Sequence, residues 1–291
     1  MSSQNPQDFH PETTTIWDFP ERGAWATHKS DYRGNFAPQI PRNIILNYSE
    51  ECDVVLDPMM GSGTSIIEAK LLNRNAIGRD INQRALDITV ERLNFHVVNN
   101  SCQDVKLGDV RNLAEIYDNS IDLIITHPPY LDLVGYSNGE NPNDLSSISS
   151  LPNFIIEFSK GLREMFRVLK PNHYCAILIG DTRKGQHYIP LSHFILQVCL
   201  RTGFILKEDI IKTQHNTTYA KRWRNSAKHY KFYLIMHEHL FVFRKPSLNE
   251  SLTKIKYSTW KGLLNAIGVH EKCDTELMGH EADRLSGRAS I

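Results

Sequence analysis

Short apolar runs alternate along this chain with segments whose apolar residues recur at helical spacing. The apolar runs predict seven strands, near residues 53–57, 75–80, 105–108, 121–126, 174–180, 204–212 and 237–244. The helical patterns lie near residues 40–48, 64–73, 82–94, 153–168 and 191–202. Strands that alternate with helices are typical of α/β proteins with a doubly wound, mostly parallel sheet, and we predict this fold class.

The break between the first strand and its helix is rich in glycine. Residues 57–64 read Asp-Pro-Met-Met-Gly-Ser-Gly-Thr. Such a turn presents bare backbone N–H groups at the sheet edge, where a nucleotide-like ligand approaches closely. No Lys-Ser/Thr pair follows the second glycine and G-x-G-x-x-G is absent, so the spacing argues against a phosphate-binding loop. We predict S-adenosylmethionine as the ligand, because it has no phosphate to neutralise.

Carboxylates follow each of the first three predicted strands, at Asp57, Asp80 and Asp109. An acid at the tip of the second strand accepts from ribose hydroxyls in related nucleotide folds, and we expect Asp109 to receive the adenine amino group. The competing interpretation is that these acids only cap helices and turns. Three acids at successive strand ends favour the cofactor. The predicted cofactor residues are Asp57, Pro58, Gly61, Ser62, Gly63, Thr64, Asp80, Asn82, Asp109, Val110 and Thr126.

Two consecutive prolines follow the fourth strand, where residues 126–130 read Thr-His-Pro-Pro-Tyr. Prolines lack N–H donors and fix φ, so the loop is rigid and its carbonyl oxygens are free to accept. An exocyclic amino group on a nucleobase is a poor nucleophile, and acceptors that hold its N–H bonds let nitrogen turn its lone pair towards a methyl sulfonium. We predict His127 and Pro128 as these acceptors, with Pro129 in the same loop and Tyr130 as the face for a flipped base. An ordinary Pro-Pro turn is the alternative.

With both loops present, the chain resembles the S-adenosylmethionine-dependent amino-methyltransferases that act on cytosine N4 or adenine N6 in DNA. Their signature pairs Asp-Pro-x-x-Gly-Ser-Gly-Thr with Asp/Asn/Ser-Pro-Pro-Tyr, and the resemblance runs from about residue 17 to residue 245. It implies a Rossmann-like methyltransferase sheet with a reversed final hairpin, a base flipped out of DNA, and a restriction-modification role with a cognate endonuclease as a possible partner. Upstream, residues 16–42 are similar to the segment that closes over the methionine end of the cofactor.

Two features depart from the family pattern. His127 stands where Asp, Asn or Ser is usual, and an imidazole accepts only when neutral, so we expect activity to fall on acidification. The cofactor loop also precedes the Pro-Pro loop, the reverse of many members. The sequence of the Pro-Pro loop is closer to the Ser-Pro-Pro-Tyr variants than to Asp-Pro-Pro-Tyr, which favours cytosine N4 over adenine N6. The alternatives are a guanine-N2 methyltransferase of tRNA or rRNA and a non-catalytic DNA-binding relative.

A basic stretch without any acid lies between Asp209 and Glu238. Its positive charges are interleaved with aromatic residues, a composition that neutralises phosphates and offers flat faces to bases. We predict a target-recognition region at about residues 212–233, with a solvated basic loop as the competing interpretation. The predicted nucleic-acid contacts are Lys212, Tyr219, Lys221, Arg222, Trp223, Arg224, Lys228 and Lys231.

Composition limits the remaining choices. The chain has 291 residues, 41% of them hydrophobic, and no formal net charge, which fits one sizeable domain. We predict a flexible N-terminus at 1–15, a methyltransferase domain at 16–246 and a C-terminal appendage at 247–291. Five cysteines without a C-x-x-C pair indicate no metal site, and His237 and His239 are interpreted as a surface pair. A polar N-terminus and the absence of a long apolar run predict a cytoplasmic protein, with a monomer as the default.

Overall fold

The strands and helices alternate along the chain as the hydrophobic pattern predicts. The computed structural model describes residues 5–6, 8–130, 144–184, 186–215 and 218–268, with the backbone alone for 218–222. Its strands are β1 (Ile16–Trp17), β2 (Val54–Asp57), β3 (Asn75–Asp80), β4 (Gln103–Leu107), β5 (Ile121–Thr126), β6 (Leu169–Gly180), β7 (Thr182–Lys184), β8 (His187–Ile189), β9 (Ile205–Thr213) and β10 (His237–Arg244). Its helices are α1 (Gln39–Tyr48), α2 (Thr64–Leu71), α3 (Gln83–Arg92), α4 (Leu151–Val168), α5 (Leu191–Thr202), α6 (Thr218–His229) and α7 (Trp260–Ala266).

Eight strands form one sheet in the order β1-β9-β10-β6-β5-β2-β3-β4, and β7 pairs with β8 as a separate antiparallel hairpin. Within the large sheet β10 is antiparallel to both β6 and β9, and the other neighbours are parallel. The predicted doubly wound, mostly parallel sheet with one reversed strand is confirmed. The predicted number of seven strands is wrong by one, because β1 adds a two-residue edge strand beside β9 that is too short to give a periodic pattern.

The sheet is covered on both faces, because alternate residues of its central strands bury opposite sides. Leu56, Ile124 and Ile177 lie in one apolar cluster with the inner faces of α4 and α5. Val55 and Leu123 lie in a second cluster, with residues of α1 and α2. Every residue of β5 is buried, as expected for a strand at the centre of such a sheet. The loops at the carboxyl ends of the central strands are therefore held on a packed base.

The direction of winding changes at β2, which has β3 on one side and β5 on the other. In open α/β sheets, a crevice forms at such a switch point outside the carboxyl ends of the strands. Helix α2 begins there with Gly63 as its N-cap, in the left-handed region at φ 77°. Helix α3 begins nearby with Asn82, whose side chain accepts from the Arg84 N–H. Both helix starts flank the predicted cofactor loop.

The predicted domain bounds stay predictions, and three segments bear on them. The basic stretch contains helix α6, although the hydrophobic pattern gave no helix there. The described part of residues 1–15 contacts the domain, where the Glu12 N–H donates to Asn43 Oδ1 at 2.7 Å and the Ile211 N–H donates to the Thr15 carbonyl at 2.8 Å. The chain divides into two compact units, one through Glu250 and one from Ser251 onward. The described residues of the second unit form a 3-10 helix (Thr253–Ser258) and α7.

None of the helices within the described ranges is long and apolar enough to cross a membrane.

Candidate active site

A cleft with about 790 Å³ of empty space, part of it open to solvent, lies at the switch point of the sheet. It is lined by loops that follow β2, β3, β4 and β5, and by the segment that precedes α1. The predicted cofactor residues that line it are Asp57, Pro58, Gly61, Ser62, Thr64, Asp80, Asn82, Asp109 and Val110. Gly63 and Thr126 are not among the lining residues.

The glycines of the loop after β2 are required by its backbone and by its neighbours. Gly61 and Gly63 have positive φ, at 53° and 77°. A Cβ atom on Gly63 would lie 2.6 Å from Thr89 Cγ2, and one on Gly61 would lie 3.3 Å from the ring of Tyr32. A side chain would clash with Thr89 at Gly63 and press against Tyr32 at Gly61. Glycine at both positions therefore lets the backbone form a narrow cradle.

Asp57 stabilises this loop through hydrogen bonds to the loop and to the start of α2. Its carboxylate is buried and accepts from the Ser65 hydroxyl and, at 3.1 Å, from the Met59 N–H. Burial raises the pKa of Asp57 to about 7, although these two hydrogen bonds act in the opposite direction. The residue therefore stabilises the turn as well as lining the cleft.

Asp80 ends β3 and connects two of the loops around the cleft. Its Oδ2 accepts from the Gly61 N–H at 2.8 Å and its Oδ1 from the Asn82 N–H at 2.9 Å. Burial raises the pKa of Asp80 to about 6, and the nearby charge of Asp144 acts in the same direction. Asp109, after β4, is instead held by Arg111, with Nη2 at 2.6 Å from Oδ2.

Asp144 and Phe36 also line the cleft, and neither was among the predicted site residues. Asp144 is buried, and its Oδ2 has no hydrogen-bond partner among the described residues. It lies in a stretch rich in Asn and Ser that gives no periodic signal, so the sequence did not point to it. Phe36 belongs to the upstream segment that we expected to close over the cofactor, and its ring stacks on His127 with centroids 5.8 Å apart.

The predicted catalytic loop follows β5, and His127 and Pro129 reach the cleft. His127 Nε2 lies 2.6 Å from the hydroxyl of Tyr130, which donates to Glu238 Oε1 at 2.7 Å. Glu238 in turn pairs with Lys212, with Nζ 2.9 Å from Oε2. Burial lowers the pKa of His127, which favours the neutral imidazole. Glu238 was not predicted as a site residue, because only the fold brings it beside a loop more than a hundred positions earlier.

The predicted nucleic-acid contacts divide into three groups. Trp223, Arg224, Lys228 and Lys231 are exposed on α6 and just after it. Tyr219, Lys221 and Arg222 lie on the first turns of α6, where the side chains are outside the described part of the structure. Lys212 is separate from both, because it lies on β9 with a side chain only 17% exposed and is paired with Glu238. We therefore leave Lys212 out of the proposed DNA surface.

The His-x-His pair on β10 has an acidic neighbour that the sequence did not reveal. Asp181, His237 and His239 bring one possible ligand atom each to within 4.8 Å of one another. Asp181 already accepts from the Ser192 N–H at 2.8 Å and from the Tyr188 hydroxyl, and His239 Nδ1 lies 3.0 Å from Asp209 Oδ1. These hydrogen bonds account for the cluster without an ion, and the expectation of no metal site stays a prediction.

Comparisons with known proteins show which family and which fold this chain is similar to. The family described as N6/N4 DNA methylase matches residues 2–91 and 121–281. A tRNA (guanine(10)-N2)-dimethyltransferase of Methanothermobacter thermautotrophicus is 31% identical over 34% of this chain and 29% of its own length. The type II methyltransferase M.ScaI of Streptomyces caespitosus is 34% identical over 31% of this chain and 30% of its own length. The chain thus spans less than a third of the length of either curated relative.

Among solved structures, the [4+2]-cyclase SpnF is similar with a TM-score of 0.50 and 16% identity, over 75% of this chain and 87% of that chain. A likeness at this identity shows the fold alone, and the reaction has to be argued from the site.

Proposed function

Since this chain belongs to the N6/N4 DNA methylase family, we propose that it transfers a methyl group to an exocyclic amino group of a base in DNA. The cofactor that the family implies is S-adenosylmethionine. The observation that carries the proposal is a rigid Pro-Pro loop whose His127 borders the cleft and has a buried Nδ1 atom with no hydrogen-bond partner in the described part of the chain. A free acceptor beside a cofactor cleft suits the capture of an amino group.

The residues of the cleft fit this cofactor. The cradle formed around Gly61 and Gly63 admits a ligand close to the backbone, and no side chain could be placed there without a clash or strained φ. Asp80 supplies a carboxylate at the strand tip where ribose hydroxyls are held in related folds. Asp144 adds a buried carboxylate oxygen that has no hydrogen-bond donor among the described residues, and hydroxyl or amino groups of the cofactor would donate to it. When bound, S-adenosylmethionine provides an electrophilic methyl group on a sulfonium.

The chain's own residues then position the nucleophile. The amino group is held by the Pro128 carbonyl oxygen and by His127, so that its nitrogen lone pair is free to attack in line. Rigid acceptors contribute because they hold the reacting atoms in one geometry before reaction. A methyltransferase that acts on carbon 5 of cytosine forms a covalent intermediate through a cysteine that follows a proline. None of the five cysteines here follows a proline, and transfer to an amino nitrogen needs no covalent enzyme intermediate. The surplus proton on nitrogen would pass to water after the transfer, and the neutral thioether S-adenosylhomocysteine would be left as the other product.

Within this class we propose cytosine N4 rather than adenine N6 as the target. His127 is a neutral acceptor, as serine is in the Ser-Pro-Pro-Tyr loops, and it differs in charge from the Asp of Asp-Pro-Pro-Tyr loops. The exposed residues of α6 support contact with DNA, because the helix and its flanks carry positive charge and an exposed Trp223 without any acid. A cognate endonuclease, a monomeric state and a cytoplasmic location stay predictions from sequence.

A second candidate is methylation of guanine N2 in RNA. It is favoured by one observation, the similarity to tRNA (guanine(10)-N2)-dimethyltransferases in two archaea. The chemistry would use the same cleft and loop, and only the polymer and base would differ.

The experiment that separates the candidates uses S-adenosylmethionine with a trideuterated methyl group. The protein is incubated with unmethylated genomic DNA and, separately, with bulk tRNA, and digested nucleosides are analysed by mass spectrometry. The deuterium label distinguishes transferred methyl groups from those already present. We expect labelled N4-methylcytosine from DNA.

Labelled N6-methyladenine would keep the enzyme class and overturn the choice of base. Labelled N2-methylguanine from tRNA would overturn the DNA substrate. The variant His127→Ala should form no product, while His96→Ala, at an exposed histidine away from the cleft, should match the unchanged protein.

A further inference from the structure

Behind the Pro-Pro loop, three residues lie side by side on neighbouring strands. Glu238 on β10 is paired in register with Gly180 on β6 and with Lys212 on β9. Residues directly opposite one another in a sheet present their side chains on the same face. Gly180 leaves that face open for Tyr130, since a Cβ atom there would lie 3.0 Å from Tyr130 Cε2. The sheet register thus brings the Lys212–Glu238 pair against the hydroxyl of Tyr130.

From this arrangement we infer that Lys212 and Glu238 are positioning residues that act through Tyr130 on His127. Through Tyr130, the Lys212–Glu238 pair keeps the ring hydrogen of neutral His127 on Nε2 and leaves a free lone pair on its Nδ1. The role given to that lone pair, as an acceptor for the target amino group, rests on the proposed function. The preference for one tautomer rests on the hydrogen bonds alone.

Glu238 is ionised although it is buried. Its side chain is 8% exposed, and burial by itself would raise the pKa of the carboxyl. The positive charge of Lys212, with hydrogen bonds from Lys212 and Tyr130, opposes this effect and holds the pKa of Glu238 below its ordinary value. An ionised carboxylate has acceptors and no donor. Glu238 therefore accepts a hydrogen bond from Lys212 and from Tyr130 and donates none.

The charge of Glu238 fixes where the Tyr130 hydrogen lies. Its hydroxyl has one hydrogen, and the 2.7 Å contact with an ionised Glu238 requires that hydrogen. The Tyr130 oxygen can then only accept from His127, whose Nε2 lies 2.6 Å away. In a neutral imidazole a hydrogen on Nε2 leaves Nδ1 bare. His127 Nδ1 is buried and makes no hydrogen bond of standard geometry with the described residues, although the Gly34 backbone lies near the ring.

The opposite tautomer fails because of the ion pair. A hydrogen on His127 Nδ1, directed at the nearby Gly34 backbone, would make Nε2 an acceptor for the Tyr130 hydroxyl. Tyr130 and Glu238 would then face each other as two acceptors 2.7 Å apart, unless Glu238 took up a proton. Lys212 opposes that protonation, with Nζ 2.9 Å from Oε2. The positive charge on β9 therefore decides which nitrogen of His127 is free.

The test combines the tautomer with the rate. The full chain is labelled with 15N-histidine, and long-range 1H–15N spectra distinguish bare from protonated ring nitrogens. The His127 signals are assigned by their loss in His127→Gln. We expect a bare Nδ1 in the unchanged protein and a bare Nε2 in Glu238→Gln, whose amide can donate to Tyr130. The kcat for DNA methylation should fall roughly 10- to 100-fold in that variant, the range for one lost hydrogen bond in a site, with little change in cofactor Kd.

The pH profile separates this role from simple structural support. Three groups face His127 with charge or protons, namely Glu238, Lys212 and Tyr130, and the Gly34 backbone also favours the charged ring. Loss of the negative charge in Glu238→Gln should move the acid limb of kcat to lower pH. Loss of the positive charge in Lys212→Met should move it to higher pH. A purely structural defect would not move the acid limb to lower pH in one variant and to higher pH in the other.

Rescue and a matched control complete the design. Lys212→Arg keeps the charge and should restore the Nε2–H tautomer and most of the kcat lost in Lys212→Met. Arg244→Met removes another partly buried ion pair of β10, with Glu250, at the far end of the strand, and should leave the His127 spectrum unchanged. This control measures what a lost ion pair on β10 does by itself.

The two proposals fail in different ways. A bare His127 Nε2 in the unchanged protein would overturn the inference, whatever base is methylated. Unaltered His127 spectra in both Glu238→Gln and Lys212→Met would also overturn it. A bare Nδ1 that responds to these variants in a protein that methylates no nucleic acid would overturn the proposed function while supporting the assignment of the tautomer.

Discussion

Glu68 connects the segment before α1 to helix α2, and its replacement should be the most damaging single change outside the cleft. Its carboxylate is fully buried and accepts from Trp25 Nε1 at 2.6 Å and from Arg42 Nη1 at 2.9 Å, and it lies 2.7 Å from His28 Nε2. In Glu68→Ala the Arg42 charge would stay buried without its partner. Breaking a buried pair in this way costs about 3–5 kcal/mol. The bonds lost at Trp25 and His28 add roughly 1 kcal/mol.

The measurement is urea denaturation followed by circular dichroism, with equal slopes required before free energies are compared. We expect Glu68→Ala to lower the free energy of unfolding by about 4–6 kcal/mol. The double variant Arg42→Met with Glu68→Leu removes both charges together and should be less damaged than Glu68→Ala, because no unpaired charge stays behind. A loss below about 1 kcal/mol in Glu68→Ala, or a double variant as unstable as Glu68→Ala, would refute the reasoning.

Four further predictions concern the cleft and its surroundings. Gly63→Ala should cost about 2–4 kcal/mol of unfolding free energy and weaken cofactor binding, since it adds a clash with Thr89 to a positive φ, whereas Gly203→Ala, at a positive φ outside the cleft, should leave cofactor Kd unchanged. The pKa of Asp57 is raised to about 7 in the folded protein, so the unfolding free energy of the unchanged protein should fall relative to that of Asp57→Asn as pH rises from about 4 to 7. Urea titrations at several pH values measure both free energies, and a difference between them that does not change with pH would contradict this. Because the pKa of His127 is lowered, kcat should hold until the pH is below the ordinary histidine range of about 6.5 and then decline; a decline at higher pH would refute a neutral acceptor. Arg224→Ala with Lys228→Ala should reduce the salt slope of DNA binding by about 2, and Lys207→Ala, at an exposed lysine on β9, should not.

The elements of the sheet could be predicted from the sequence where burial imposes a strong pattern. β5 has the predicted bounds, because a central strand buried on both faces is apolar along nearly its whole length. β1 and α6 were missed for opposite reasons. β1 has two residues and therefore no period, and α6 is a polar helix whose sequence has no clear apolar stripe.

The candidate site was predictable where a local motif, or the shared carboxyl edge of parallel strands, brings residues together, as for Asp57, Asp80 and Asp109. The glycine loop is a local feature, since strand, turn and helix follow one another directly. Lys212 shows the limit, because its basic side chain gave no sign that β9 pairs it with Glu238 across the sheet. Asp144 shows the same limit, because its position beside the cleft depends on tertiary packing and not on any local pattern.

The central claim is that the cleft binds the methyl donor and that His127 holds the amino group that receives the methyl. We would measure both properties together, with calorimetric binding of S-adenosylmethionine and transfer of its trideuterated methyl group to DNA, in the unchanged protein and in His127→Ala. The account predicts a labelled exocyclic nitrogen for the unchanged protein. It also predicts a loss of about 100-fold or more in the variant, while cofactor Kd stays the same. Equal transfer by both proteins, or a label found on a ring carbon, would contradict it.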